Sequence, residues 1–176
     1  MTHEIEEGDL IFTFEGAVKV EKFDDDRTHG MNHLEAGMKR VDFIVTFPTK
    51  TWLIEVKDPE NTHIPIAHKK RQKASFRIKM RSETLYRREL APKLKDSIFY
   101  LALANRAPQS KFTYLCLIGI EKLDSAMLQA MEEKMRKLCC LPGPHRQEWA
   151  SKFDVQVFNL TTWNEHIPES TVRRKS

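Results

Sequence analysis

Asp42, Glu55 and Lys57 are the residues of this 176-residue chain whose types and spacing can do chemistry. Two carboxylates and a lysine gathered at one point suit metal-assisted cleavage of a phosphodiester. Hard cations such as Mg2+ or Mn2+ take oxygen ligands, keep several waters, and are held by one or two carboxylates plus a substrate phosphate. Asp42 and Glu55 would supply the carboxylates and Val56 its carbonyl. Lys57 would orient the attacking water or offset charge on the pentavalent transition state.

What must bring these residues together is a hairpin. Residues 40–47 and 51–57 are β-branched and aromatic runs flanking Pro48-Thr49-Lys50. Pairing Phe47 with Trp52, Val45 with Ile54 and Phe43 with Val56 makes one face wholly apolar. The other face then carries Asp42 opposite Lys57 and Ile44 opposite Glu55. A one-residue slip would drive the charges into the core, so the apolar pattern itself groups the three residues.

The rest of the chain supplies the frame. Residues 10–14 and 17–23 read as two short strands joined by a tight turn at Glu15-Gly16. Residues 24–37 are polar, with two glycines and two histidines, and read as a loop. Asp58-Pro59 stops the second hairpin strand, and a mobile basic connection follows. Residues 82–105 read as helix, with Ser82 as N-cap and Pro92 dividing it in two. Residues 111–120 form a near-continuous apolar run, a buried strand, after which Asp124-Ser125 caps an amphipathic helix with Leu128, Met131, Met135 and Leu138 on one face. A last strand, 153–160, leads into a helix start at 161–165, and the basic tail 171–176 is expected to fray. Strands first, then helix, strand, helix and strand, predict an α/β fold: a mixed central sheet with helices on its faces, in one domain spanning 1–176.

Composition narrows the classes. With 40% hydrophobic residues and three tryptophans the chain is no disordered segment, and no apolar run approaches the roughly 18 residues that span a bilayer. The acidic first eight residues lack the pattern of a secretory signal, so the expected compartment is cytoplasmic. Three cysteines in no framework spacing point to reduced thiols, and Cys139, Cys140 and His145 lack a fourth ligand for zinc. Charge is uneven. Residues 68–95 hold eleven Lys or Arg against Glu83 and Glu89, a local +9 that, against a total of +4, leaves −5 elsewhere. Such a segment either forms a solvated helix face or favours a polyanion through counterion release. Lys69, Lys70, Arg71, Lys73, Arg77, Lys93 and Lys95 are the candidate nucleic-acid contacts.

Arg40-Val41-Asp42 followed, thirteen residues after the aspartate, by Glu55-Val56-Lys57 resembles the PD-(D/E)xK nuclease superfamily, which includes restriction endonucleases and Holliday-junction resolvases. The resemblance covers residues 17–120, where hairpin, helix and buried strand follow in the family's order. It implies a restriction-endonuclease-like αβββαβ core, with the aspartate on the second core strand and Glu-x-Lys on the third. It also implies a Mg2+- or Mn2+-dependent endonuclease, with DNA favoured over RNA, in a defence or mobile-element setting. Two departures stand out. Val41 takes the place of the family's proline, and the long first helix that carries an extra glutamate is missing. Candidates for that further acid are Asp24, Asp25, Asp26 and Glu35, with Glu35 and Asp25 ranked first. His29 and His33, four apart, have metal-ligand spacing on a helix that Gly30 and Gly37 weaken. The resemblance further implies a basic or amide residue on the helix after the site, where Lys93, Lys95 and Asp96 are available. Cutting both strands of a duplex needs two sites, which points to a homodimer or a protein partner. The rival readings are a non-catalytic nucleic-acid-binding or assembly module with a nuclease-like fold, and an RNA-directed nuclease.

Overall fold

A computed structural model describes residues 1–25, 38–62, 64–108, 111–139 and 153–175. In chain order it contains β1 (Thr2–Glu7), β2 (Leu10–Glu15), β3 (Lys19–Lys22), β4 (Phe43–Thr46), β5 (Lys50–Lys57), α1 (Ile66–Arg81), a π-helical turn (Leu85–Leu90), α2 (Ala91–Leu103), β6 (Lys111–Ile118), α3 (Ser125–Cys139), β7 (Phe153–Phe158), α4 (Leu160–His166) and β8 (Ser170–Arg174). The strands form two sheets, one ordered β1-β2-β8 and one ordered β3-β4-β5-β6-β7. In the larger sheet β3, β4 and β5 are antiparallel, whereas β6 and β7 run parallel to β5, so the expected mixed sheet is present.

Alternation along the hairpin divides the core in two. Phe43, Val45, Phe47, Trp52, Ile54 and Val56 face the smaller sheet and pack on Phe12, Phe14, Trp163 and Val172. Phe12 meets both Phe43 and Trp163 edge-on, with centroids 5.4 and 5.6 Å apart. Such pairs add about 0.5–1.5 kcal/mol beyond the area they bury. Ile44 and Leu53, on the other face, join Tyr114, Cys116 and Ile118 against the helices. The molecule is therefore layered as helices, five-stranded sheet, then three-stranded sheet with α4.

Six expectations need correction. The hairpin pairs Phe43 with Ile54 and Val45 with Trp52, a register shifted by two residues. Its turn is tighter than anticipated, because the Phe47 amide donates to the Lys50 carbonyl at 2.8 Å and leaves only Pro48 and Thr49 between. A shift of two preserves which residues share a face. Strands 10–14 and 17–23 do not pair with each other. β2 lies between β1 and β8 while β3 joins β4, and Gly16, at φ +74°, carries the chain from one sheet to the next.

The basic connection after Pro59 is largely the 16-residue helix α1, which buries only Phe76 and so gave no apolar periodicity to read. Ser82 caps the C-terminus of that helix instead of starting the next. The tail is not frayed: β8 pairs with β2 from Ser170 to Arg174. Arg174 reaches Asp58 at 2.8 Å and Asp9 at 3.1 Å, tying β8 to the end of β5. Of the expected loop, residues 26–37 lie outside the described residues, and three further readings hold. Pro92 stands in the first turn of α2, α3 starts at Ser125, and Asn159 caps α4 through a reciprocal bond pair with Thr162. Among the described residues no helix is long and apolar enough to cross a membrane, and the described cysteines, Cys116 and Cys139, are free and buried.

Candidate metal centre

The site arises where two paired strands differ in length. β4 begins at Phe43, opposite Ile54, so Glu55, Val56 and Lys57 run on past it. The next step of that register sets Asp42 across from Glu55, not from Lys57 as the sequence suggested. Asp42 turns its carboxylate onto the free edge of β5, where Oδ2 accepts the Val56 amide at 2.6 Å. In a strand the N–H and C=O of one residue point to the same side. The Val56 carbonyl therefore faces Asp42 as well, while Lys57 turns its carbonyl to β6, accepting from the Gly119 amide at 2.8 Å.

Glu55 is wholly buried and Asp42 nearly so. Both Glu55 oxygens meet ammonium groups: Lys57 Nζ lies 2.6 Å from Oε1, and Lys93 Nζ lies 2.8 Å from Oε2. The same Lys93 nitrogen is 2.9 Å from Asp42 Oδ1. Lys93 thus bridges the two carboxylates from the N-terminal turn of α2. The helix is held there by its own neighbours. The Val41 amide donates to Ser97 Oγ at 2.9 Å, and the Lys39 amide donates to Asp96 Oδ2 at 2.8 Å. Pro92 has no N–H to give the Arg88 carbonyl, which accepts from Lys39 Nζ. Arg40, buried between Phe23 and Tyr100, completes the approach to Asp42.

These contacts set the electrostatics. Burial, reinforced by the charge of Asp42, raises the Glu55 carboxyl to about 7 despite the two lysines. Burial disfavours the charge on Lys93, but Glu55 and Asp42 outweigh it and raise its pKa. For Lys57 the same opposition is won chiefly by Glu55. Asp24 belongs to this field too. Burial and then the charges of Asp42 and Glu7 lift its carboxyl to about 6. Lys22, 3.0 Å from Glu7, is raised by Glu7, Asp24 and Asp42 against its own desolvation.

Asp42, Glu55 and Lys57 are therefore brought together, and Val56 lies between them. Of the further acids, Asp24 carries a charge that bears on Asp42 and Lys93; Asp25 follows it, half-buried. Asp26, His29, His33, Glu35, Cys140 and His145 lie outside the described residues. Asp24 had a readable signal. β3 and β4 run antiparallel, and the Phe23 amide bonds the Asp42 carbonyl at 2.8 Å, which brings the end of β3 beside the catalytic candidate. Ser97 carried no such mark, since a serine in a helix commonly faces solvent.

The basic candidates separate. Lys93 is in the site, whereas Lys95 is exposed on another side of α2. Lys70, Arg71 and Arg77 are exposed on α1, with Lys69 half-buried beside them, and Lys73 pairs with Glu60 at 2.8 Å.

Whether a divalent ion suits this site is decided by its donors. Asp42, Glu55 and the Val56 carbonyl are hard oxygens, as Mg2+ or Mn2+ requires. The Lys93 ammonium, within 3 Å of both carboxylates, is a stand-in for a cation at that position. Among the described residues no three His, Cys, Asp or Glu side chains form a closed cage. An ion there would keep several waters, as Mg2+ commonly does.

No family model, curated protein or solved structure matches the chain.

Proposed function

We propose that the chain is a divalent-metal-dependent nuclease of the PD-(D/E)xK kind, hydrolysing phosphodiester bonds of DNA with Mg2+ or Mn2+. The observation that carries this reading is the convergence of Asp42 and Glu55, from adjacent strands, on one cation position beside Lys57. A surface ion pair would need one acid and no burial. Here two acids are buried together at a repulsive cost that a cation between them offsets.

Each residue then has a task. Asp42 is fixed by the Val56 amide and Glu55 by Lys57, so their free oxygens stay directed at the same point. A bound divalent ion supplies Lewis acidity to the scissile phosphate and lowers the pKa of a coordinated water. Lys57, on the same face as Glu55 and partly exposed, is placed to hydrogen-bond the attacking water or the phosphate oxygens. Lys93, released from the carboxylates, offers a second positive charge to the transition state. Asp24, raised to about 6, extends the acidic side of the site and stands for the further acid of the family. The exposed Lys70, Arg71 and Arg77 on α1 form a face for a phosphate backbone. Cleavage of both strands calls for a second copy or a partner.

The test is cleavage of plasmid DNA in Mn2+ together with calorimetric titration of the ion. Asp42→Ala, Glu55→Ala and Lys57→Ala each abolish cleavage, and the first two also abolish Mn2+ binding. Wild-type-level cleavage by the Glu55→Ala protein overturns the reading. One observation favours a non-catalytic module instead, namely that Lys93 already neutralises the acids. On that account the wild-type protein takes up no Mn2+ at all.

A further inference from the structure

Beside the site, at the same end of the sheet, is a cavity of about 220 Å3 between α1, the segment after β6 and the start of α3. Its floor is apolar: Met80, Ile120, Leu123 and Met127, the last half-exposed. Its rim is formed by Arg77, Arg81 and Lys122, all exposed, and no carboxylate lines it. Among the described residues none of these three cations has an ion-pair partner, although Lys73 and Lys79 on the same helix find Glu60 and Glu89. Arg77 and Arg81 are four residues apart on α1, so their charges lie on one face with Met80 between them. Arg81 gains something from the helix C-terminus, but Arg77 and Lys122 do not.

Strand pairing fixes where the cavity stands. Lys57 is level with Ile118 on the parallel strand β6, and the Gly119 amide bonds the Lys57 carbonyl. Ile120, the next residue, is the floor. It packs in the same apolar layer as Cys116 and Ile118, on the side of the sheet that carries Glu55 and Lys57.

We infer that this cavity is a nucleotide subsite for a strand running on from the cleavage site. Arg77, Arg81 and Lys122 hold a phosphate, and the base lies on Met80, Ile120, Leu123 and Met127. Three like charges ringing an apolar floor repel one another without an anion, and a nucleotide supplies both the anion and the flat apolar face. The cavity is smaller than the roughly 300–1,000 Å3 of drug-sized sites, so it takes one base and not a longer segment. The inference rests on the nuclease reading for its substrate, but it is tested without metal.

The experiment measures binding of a fluorescent single-stranded oligothymidylate in EDTA across a salt series. The Arg77→Gln, Arg81→Gln, Lys122→Gln protein should lose about 0.7 from the slope of log affinity against log salt, as one single-strand phosphate contact implies. A charge-matched control, Lys111→Gln, Lys137→Gln, Arg173→Gln, should keep the slope. Met127→Ser should weaken binding several-fold at unchanged slope, and an abasic oligonucleotide should bind the wild-type protein no better than that variant binds the parent. An unchanged slope in the first variant, an equal loss in the control, or no binding by the wild-type protein overturns the subsite. Cleavage of the same oligonucleotide by wild-type protein in Mn2+ is scored separately. The nuclease reading can thus fail while the subsite stands, or the reverse.

Discussion

Lys93 Nζ sits 2.8 Å from Glu55 Oε2, reaching from a helix into the space between two strands. On the proposed metal-dependent reading, the lysine and a divalent ion would compete for one position. Replacing Lys93 with methionine, which keeps the length but not the charge, should tighten Mn2+ binding about tenfold, or roughly 1.4 kcal/mol, in calorimetric titration. Weaker binding would mean that the lysine positions the acids and does not contest the ion.

Glu55 makes stability depend on pH. Its carboxyl stands at about 7 in the fold, above the ordinary 4.5, so the folded chain holds the proton more tightly than the unfolded one. The contribution is complete below pH 4.5 and is lost as pH rises through 7, about 2 kcal/mol of it between pH 5.5 and 8. Asp24, raised to about 6, acts in the same direction at the lower end. Urea unfolding at the two pH values should show the wild-type protein losing more stability than Glu55→Gln. Equal losses would refute the assignment.

Arg174 holds two acids that have little access to water, Asp9 and Asp58. Truncating it leaves both without their cation, a change that typically costs about 3–5 kcal/mol. The Arg174→Ala protein should accordingly unfold at much lower urea. A midpoint like that of the wild-type protein would return the tail to the frayed state its composition suggested.

Gly119 approaches the same cluster. A Cβ there would lie 2.2 Å from Asp58 Oδ1 and 3.0 Å from its Cβ. Gly119→Ala should push Asp58 off Arg174 and cost about 1–3 kcal/mol, read as a fall of several degrees in Tm.

What the sequence disclosed follows from which forces leave a local trace. Alternation along residues 43–47 and 52–56 fixed the faces of the hairpin, and with them the company of Asp42, Glu55 and Lys57. Register was missed by two because either spacing satisfies that alternation, and only the Phe47–Lys50 turn chooses between them. β1 and β8 went unread for another reason. β1 is an acidic strand with no fully buried residue, and β8 is half basic; each is defined by its partner, β2, more than by its own pattern. Lys93 was visible as a basic residue on the following helix, but its bridging position depends on Ser97 and Asp96 gripping the residues before β4. Contacts between elements more than fifty residues apart leave no periodicity.

The unequal lengths of β4 and β5 have one more result. The Val56 amide can serve either a backbone ladder or the Asp42 carboxylate, and β4 begins late enough to leave it to the carboxylate. Sheet completion and site formation are thus rivals for a single hydrogen. Extending β4 by two residues would satisfy the sheet and dismantle the site without altering one charged group.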